Sequence, residues 1–375
     1  MARILVTGGA GFIGSHLVDA LLAAGHGVRV LDALDPQVHG GLRERGEWPS
    51  YLAKECEKVL GDVRDRDTLR RALDGIEVLY HQASAVGVGQ SMYEIERYVD
   101  ANTRGTAVLL DVLANERHTV HKLIVASSMS IYGEGAYRCP AHGTVYPQLR
   151  PETQLDARSW EMQCPLCHEA VAPLSTAEDK PLYPTSIYAI TKRDQEEMCL
   201  VVGRAYGIPT VALRYFNVYG PRQALSNPYT GVAAIFSGRL LNDQPPLIYE
   251  DGQQSRDFTH VSDIVQANML ALERDEMAYG AYNVGTGRPL TIFDVAEALI
   301  EELGSTQRPE IAQQYRAGDI RHCYADIGRL AAFGYRPKVR FEEGVAELTE
   351  WVRSQSAEDA FSEARRELDE RGLTR

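Results

Sequence analysis

Short apolar runs alternate with amphipathic stretches through the first part of the chain. The runs RILVTG, VRVLDAL, EKVLGDV, EVLYHQAS and KLIVASS are rich in β-branched residues and predict strands, whereas FIGSHLVDALLAAG, RDTLRRALDG and NTRGTAVLLDVLANE have helical spacing. A helix from Ser186 and the strand TVALRYF continue the pattern after a break. Strand–helix alternation of this kind is typical of a parallel, doubly wound sheet with helices on both faces.

The break covers residues 134–184, which are rich in Pro, Gly and Cys. A loop of that length without secondary structure is uncommon unless something orders it, so we treat it as an insert in a first domain at 1–220. Shorter, mixed elements predict a smaller α/β domain at 221–352, with part of the chain returning to the sheet. The charged stretch 353–375 predicts a solvated helical tail.

The amino-acid composition disfavours two classes of binding partner. The 375 residues carry a net charge of −13, which argues against nucleic acid or an anionic membrane surface. The chain begins directly with a strand and has no apolar run of about 18 residues, so we expect a cytoplasmic protein. Cys56, Cys199 and Cys323 are scattered and predict buried thiols rather than a disulfide framework.

The N-terminal stretch VTGGAGFIG places Gly8, Gly11 and Gly14 between a strand and a helix. Glycines at this turn allow the backbone to approach a pyrophosphate at the helix N-terminus, which predicts a Rossmann-type dinucleotide site. Asp32 ends the second strand, where a carboxylate can bind the adenosine ribose. No basic residue immediately follows it, so NAD is favoured over NADP, and Asp62 is a candidate contact for the adenine.

A second signal is YAITK, which puts Tyr188 and Lys192 on one helix face. The ammonium group is expected to lower the pKa of the phenol and make it a usable base. Ser128, at the end of the strand KLIVASS, is expected to share the proton of a substrate hydroxyl with Tyr188. Taken alone the Tyr–Lys spacing is a common surface pair, but its combination with the glycine turn favours catalysis.

The insert contains a candidate metal site. Cys139-x-x-His142 and Cys164-x-x-Cys167 supply three thiolates and one imidazole, a complete tetrahedral set for a structural zinc ion. His168 is an alternative ligand, and two coincidental Cys-x-x pairs are the competing interpretation.

These motifs together resemble the extended short-chain dehydrogenase/reductases, specifically the NAD-dependent nucleotide-sugar epimerase/dehydratase group, over about residues 2–352. The resemblance implies that the domain at 221–352 is mainly substrate-binding and that Arg256 and Arg316 bind the substrate diphosphate. We assign NAD contacts to Gly8, Gly11, Phe12, Ile13, Asp32, Asp62, Val63, Gln82, Ala83, Asn102, Tyr188, Lys192 and Tyr215, and substrate contacts to Val86, Ser91, Ser128, Asn217, Val232, Arg256 and Arg316.

Within that group, the residues after Ser128 are Met129 and Ser130, where dehydratases and decarboxylases carry an acid. This departure implies simple oxidation at C4 and its reversal, that is, 4-epimerisation. The stretches PQVHG, AVGVGQSMYEI, PRQALSNPYTGV and GDIRHCYADI resemble the subgroup that acts on dTDP-L-rhamnose and dTDP-6-deoxy-L-talose. Alternatives are a UDP-glucose or UDP-glucuronate type of 4-epimerase, a nucleotide-sugar dehydrogenase, and an NAD- and zinc-binding sensor without turnover.

The resemblance also implies a homodimer. The helices predicted at about 98–115 and 186–206 carry apolar faces that pair across a two-fold axis in this family.

Overall fold

The computed structural model describes residues 1–225, 227, 229, 231–355 and 361–375. Residues 226, 228 and 230, in the stretch PRQALSNPYTGV, and residues 356–360, in the predicted tail, lie outside the described part. The strands are β1 Arg3–Thr7, β2 Gly27–Asp32, β3 Glu57–Leu60, β4 Val78–His81, β5 Lys122–Ser128, β6 Ala136–Cys139, β7 Gly143–Val145, β8 Ala172–Leu174, β9 Thr210–Tyr215, β10 Asn217–Tyr219, β11 Leu247–Ile248, β12 Ser255–His260, β13 Gly280–Val284, β14 Pro289–Thr291, β15 Glu310–Ile311 and β16 His322–Cys323.

The α-helices are α1 Phe12–Ala23, α2 Pro36–His39, α3 Leu42–Arg45, α4 Arg66–Leu73, α5 Val88–Ser91, α6 Ile95–Tyr98, α7 Gly105–Asn115, α8 Glu152–Asp156, α9 Ile187–Tyr206, α10 Val232–Leu241, α11 Val261–Glu273, α12 Ile292–Leu303, α13 Gly328–Ala331, α14 Phe341–Arg353 and α15 Phe361–Glu370. A π-helix, Val99–Arg104, joins α6 to α7, and 3-10 turns occupy Met129–Tyr132 and Asp275–Met277. No helix in the described ranges has the length and apolar character needed to cross a membrane.

The large sheet has seven parallel strands in the order β13-β9-β5-β4-β1-β2-β3. Side chains alternate between its two faces, so Ile4 and Val6 join one buried layer while Leu5 joins the other. The predicted doubly wound parallel sheet is therefore confirmed. Strand β13 follows much of the smaller domain in sequence and still pairs with β9, so the chain returns to the large sheet.

The smaller domain packs α10, α12 and α14 around an apolar cluster that includes Phe236, Val295 and Leu348. Beside it, strands β10, β12, β14 and β16 form a mixed sheet. The capping box at Thr291 fixes the start of α12.

The insert is an ordered lobe rather than a long open loop. Strands β7, β6 and β8 form an antiparallel sheet, and Tyr137, Val145 and Met162 are buried beside it. The chain enters the lobe just after the turn that follows β5 and leaves it just before α9. The two catalytic candidates, Ser128 and Tyr188, therefore lie close in sequence to the two points at which the lobe joins the rest of the protein.

Buried charges fix the lobe to the smaller domain. Arg150 of the lobe donates to both carboxylate oxygens of Glu250, at 2.9 and 2.7 Å, and these side chains are 2% and 3% exposed. Arg321 pairs with Glu161 of the lobe and also with Glu250 and Asp251. These pairs connect the lobe directly to the segment around Arg321.

The tail differs from the predicted solvated helix. Ala364 and Leu368 of α15 are only 6% and 7% exposed. Phe361, Ala364 and Leu368 recur at helical spacing and form one apolar face, which packs against the body of the protein instead of facing water. The expectation of a fully solvated tail is therefore wrong.

Candidate active site

A cavity of ≈ 740 Å³ lies at the carboxyl ends of the parallel strands, between the large sheet and the smaller domain. This edge is where open α/β sheets bind ligands. The predicted residues that line it are Gly8, Gly11, Phe12, Ile13, Asp32, Asp62, Val63, Gln82, Ala83, Val86, Ser128, Tyr188, Lys192, Tyr215, Asn217, Val232, Arg256 and Arg316.

The glycine turn between β1 and α1 has no room for side chains. Gly8 has φ +71°, and a Cβ there would lie 2.8 Å from the backbone of Ala83; a Cβ on Gly14 would lie 2.2 Å from the carbonyl oxygen of Gly8. This close packing brings the N-terminus of α1 to the cavity, and no side chain caps it. Its free N–H groups suit a ligand phosphate.

Asp32 is fixed at the end of β2 by two backbone donors, the N–H groups of Ala10 at 3.0 Å and Leu34 at 2.9 Å. Burial raises the pKa of Asp32, while the nearby His39, at 4.0 Å, acts in the opposite direction. Arg43 also approaches, donating to the carbonyl of Ala33 at 2.8 Å. These two basic neighbours of Asp32 were not predicted, because they lie in α2 and α3, beyond the residues that directly follow Asp32 in the sequence.

Asp62 reaches the cavity but is not free. Its carboxylate is paired with Arg64 at 2.5 Å, and Arg64 also pairs with Asp100. Burial alone would raise the pKa of Asp62, but the hydrogen bonds from Arg64 prevail and lower it. Both carboxylate oxygens of Asp62 already accept from Arg64, and the proposed adenine contact stays a prediction.

Ser128 and Tyr188 both line the cavity. Ser128 is the last residue of β5 and Tyr188 lies in the first turn of α9, whose N-terminus Ser186 caps. Burial raises the pKa of Tyr188, and a hydrogen bond with Ser128 opposes that rise. The Ser128 hydroxyl also accepts from the N–H and hydroxyl of Ser130, at 3.2 and 2.9 Å. Ser128 and Tyr188 thus line one cavity, as proton sharing through a substrate hydroxyl requires.

Lys192 lies one turn beyond Tyr188, is buried, and donates to the carbonyl of Ala126 at 2.5 Å and to Gln195 at 2.8 Å. Burial lowers its pKa to about 8. The ammonium of Lys192 was expected to lower the pKa of Tyr188. In the folded protein this pKa is raised instead, because burial of the phenol has the larger effect.

Ser91 and Asn102, which were predicted to contact the substrate and NAD respectively, make hydrogen bonds within the protein. The buried Ser91 hydroxyl donates to the carbonyl of Val88 and accepts from the N–H of Tyr188, at 2.7 and 3.0 Å. The amide of Asn102, in the π-helix, bonds to both backbone groups of Ala85, at 2.7 and 3.0 Å. Both side chains are fully buried and are not among the residues that line the cavity, and their predicted ligand contacts stay predictions.

On the side of the smaller domain, Asn217 lines the cavity, and its Oδ1 atom is buried without a hydrogen-bond donor among the described residues. An unsatisfied buried acceptor is costly, so this atom suits a donor on a ligand. Arg316 also lines the cavity, with its guanidinium 4.7 Å from the ring centre of Tyr249. Arg256 directs much of its donor capacity to backbone carbonyls of Ile320 and Arg321, so its contact with a diphosphate stays a prediction.

The lobe brings its four candidate ligands together. The ligand atoms of Cys139, His142, Cys164 and Cys167 all lie within 4.8 Å of one another. The Nδ1 atom of His142 is 3.5 Å from the sulfurs of Cys139 and Cys164, and the sulfurs of Cys139 and Cys167 are 3.7 Å apart. These spacings exclude a disulfide between Cys139 and Cys167, and they fit the edges of about 3.5–3.8 Å that a tetrahedral zinc site requires.

The glycine turn, the carboxylate after β2 and the Ser–Tyr–Lys group on one cavity define the short-chain dehydrogenase/reductase class of Rossmann-fold enzymes. More narrowly, the chain belongs to the NAD dependent epimerase/dehydratase family, whose model matches residues 4–154 and 167–285. The unmatched residues between these two ranges lie inside the lobe.

Individual relatives agree with this assignment. The chain is 35% identical to a dTDP-L-rhamnose 4-epimerase of Burkholderia thailandensis over 93% of this chain and 94% of the relative. It is similar to the crystal structure of a UDP-glucose 4-epimerase from Thermotoga maritima with UDP-glucose (TM-score 0.74, 31% identity, 94% and 99% coverage). It also resembles a UDP-glucuronic acid 4-epimerase from Bacillus cereus in complex with UDP-glucuronic acid and NAD (TM-score 0.75, 27% identity, 94% and 99% coverage).

Proposed function

We propose that this protein is an NAD-dependent nucleotide-sugar 4-epimerase, and that its substrates are dTDP-L-rhamnose and dTDP-6-deoxy-L-talose. The proposal rests on Ser128 and Tyr188, which line the same cavity as the glycine turn and Lys192. The family supports the reaction class, and the relative from Burkholderia thailandensis supports the sugar.

Each residue of the site has a separate role in the proposed reaction. The glycine turn and Asp32 hold NAD, and the chemistry that bound NAD supplies is reversible hydride transfer at C4. Tyr188 takes the proton of the 4-hydroxyl as that carbon is oxidised and returns it when the sugar is reduced on its other face. Ser128 shares this proton, and Lys192 orients the helix turn through its bonds to Ala126 and Gln195.

The turn after Ser128 supports epimerisation over dehydration or decarboxylation. Its residues are Met129–Tyr132, with the sequence MSIY, and none of them is an acid. Dehydration and decarboxylation need a further proton transfer at C5 or C6, and no residue of this turn offers a carboxylate for it. In the proposed reaction, oxidation at C4 is therefore followed directly by its reversal.

The test is to supply dTDP-L-rhamnose, UDP-glucose and UDP-glucuronate separately and to follow the 4-epimer by NMR. We expect turnover of the dTDP sugar without added redox equivalents and with deuterium at C4 retained in the sugar. Preferred turnover of UDP-glucose or UDP-glucuronate would favour the UDP-sugar alternatives. Stoichiometric accumulation of NADH with a released keto sugar would instead identify a dehydrogenase.

We also propose that Cys139, His142, Cys164 and Cys167 hold one structural zinc ion. The four side chains complete a tetrahedral set, which leaves no position for a reactive water. Elemental analysis of protein purified without chelators should find about one zinc per chain, and a metal-free protein with a folded lobe would contradict this.

A homodimer is the assembly that we propose. Ile190 and Val201 are 42% and 62% exposed and lie eleven residues apart on α9, hence on one helix face. Ile95 and Val99, 49% and 42% exposed, lie on the neighbouring helical segment. Light scattering should give twice the chain mass, and Val201→Lys should shift it towards the monomer.

A further inference from the structure

The C-terminal tail is joined to the segment that carries Arg316. Tyr315 and Arg375 exchange backbone hydrogen bonds of 2.8 and 3.0 Å, and the N–H of Ala317 donates to the carbonyl of Leu373 at 2.9 Å. This short antiparallel pairing lies on both sides of Arg316, a candidate ligand for the substrate diphosphate. The end of the chain is therefore held beside the cavity by backbone bonds, independently of its side chains.

One face of α15 lines the cavity itself. Phe361, Ala364, Arg365 and Leu368 contribute to its wall, and their spacing places them on one side of the helix. Leu368 packs against Gly89, where an added Cβ would lie 3.6 Å from a Leu368 methyl carbon. The side chains of the opposite face behave as solvated residues, because Glu370 is 69% exposed.

The direction of α15 relates it to two parts of the cavity. Phe361, at its beginning, lies 4.9 Å from the guanidinium of Arg239 on α10, the helix that also carries Val232. Leu368, near its end, lies against Gly89 in α5, the short helix that follows the loop carrying Val86. The helix α15 thus extends from the wall formed by the smaller domain to α5, next to the predicted substrate contact Val86.

Glu367 joins α15 to two tyrosines. Its carboxylate accepts from the hydroxyls of Tyr93, at 2.6 Å, and Tyr229, at 3.3 Å, and the two hydroxyls bond to each other. Tyr229 lines the cavity and presses on Gly87, where an added Cβ would lie 2.9 Å from the Tyr229 side chain. Glu367 therefore restrains, through Tyr229, the backbone next to Val86.

We propose that the tail 361–375 is part of the nucleotide-sugar site: Phe361 and Leu368 contact the bound substrate, and Glu367 is a positioning residue that acts through Tyr93 and Tyr229. This inference rests on the proposed function, since it assigns a wall to the same substrate. The cofactor end of the cavity is built by the glycine turn, Asp32 and Asp62, so the tail affects substrate affinity and leaves NAD binding intact.

Three variants of the full-length chain test this. Glu367→Ala removes the acceptor of two phenol hydrogen bonds, and we expect KM for the nucleotide sugar to rise about tenfold with kcat little changed. Glu367→Gln keeps an acceptor oxygen and should recover most of the affinity. The matched control is Glu370→Ala, on the solvated face of the same helix. NAD content should be equal in all three, which separates a positioning role from general loss of structure.

A second measurement uses Leu368→Ala and the unmodified protein. The variant should raise KM and leave NAD content unchanged. In the unmodified protein, dTDP should slow tryptic cleavage after Arg365, Arg366 and Arg371, because a ligand that contacts the tail stabilises its docked form. Equal cleavage with and without bound dTDP, together with unchanged KM in Glu367→Ala and Leu368→Ala, overturns the inference. Tighter substrate binding in these variants also overturns it, since the tail would then obstruct the site.

A failure of the proposed function can be distinguished from a failure of the inference about the tail. If the unmodified protein binds dTDP or UDP by calorimetry but yields no 4-epimer, the reaction is wrong, and the variants still test the tail through nucleotide affinity. If it binds neither nucleotide, both proposals fail.

Discussion

Replacing Glu250 by Gln should destabilise the protein, because the lobe is attached through buried charge. The side chain keeps its shape, but the guanidinium of Arg150, 2% exposed, loses its charged partner and keeps as acceptors one neutral amide oxygen and the backbone carbonyls of Trp160 and Asp319. Breaking a buried pair in this way costs about 3–5 kcal/mol. We expect the lower end, since Arg321 also loses Glu250 but retains Glu161 and Asp251.

A loss of about 3 kcal/mol corresponds to a fall in Tm of roughly 4 °C, because an unfolding entropy of about 2.1 cal/mol/K per residue amounts to about 0.8 kcal/mol/K for 375 residues. Differential scanning calorimetry measures it directly. The matched control is Glu342→Gln, whose carboxylate is 67% exposed and pairs with an equally exposed Arg340; its effect should stay below about 0.5 kcal/mol.

A further variant separates lost charge pairing from lost packing. Replacing both partners, Arg150→Met with Glu250→Leu, removes the unpaired charge and should recover much of the stability. The reasoning would be refuted if Glu250→Gln shifted Tm no more than the surface control. It would also be refuted if the double replacement were less stable than the single one, because the cost would then not come from an uncompensated buried charge.

The remaining predictions concern chemistry and ligands. Tyr188→Phe should keep the fold and NAD content but lower kcat by roughly 10²–10⁴-fold, whereas Ser128→Ala should cost less; near-normal epimerisation by Tyr188→Phe contradicts the mechanism. Asp32→Ala should weaken NAD binding by roughly 10–100-fold and narrow the preference over NADP, and adding Arg43→Ala should remove any gain in NADP binding; calorimetry with both cofactors decides. Cys164→Ser should lose zinc in elemental analysis and raise KM for the nucleotide sugar more than Kd for NAD, because the lobe is attached to the substrate side; equal effects on both ligands argue otherwise.

Much of the cofactor and catalytic site could be predicted because its signals are local. The glycine turn needs small residues within one strand–turn–helix unit, and Tyr188 and Lys192 share a face because they are four residues apart on one helix. The two Cys-x-x pairs likewise predicted a cluster, since each pair comes from one short turn.

The contacts of other residues could not be predicted, because their partners are distant in sequence. Ser91 and Asn102 were expected to contact ligands, but their polar groups are used by Tyr188 and Ala85, a pairing that depends on how α5, the π-helix and α9 pack. Arg43 is ten residues from Ala33 and reaches it only because the helices after β2 fold back towards the strand end. Spacing in a single sequence contains no information on such contacts.

The tail shows the division between sequence and tertiary structure most directly. The sequence by itself determined that the tail contains a charged helix, but Phe361, Ala364 and Leu368, which share one face of that helix, were expected to be solvated with the rest of it. Which surface that face covers was decided by the tertiary structure, because burying an apolar stripe requires a complementary surface, and here Gly89 and the cavity wall supply it. Local periodicity fixes the conformation of a segment, whereas the burial of its apolar face and the pairing of its charges depend on residues that only the folded chain brings near.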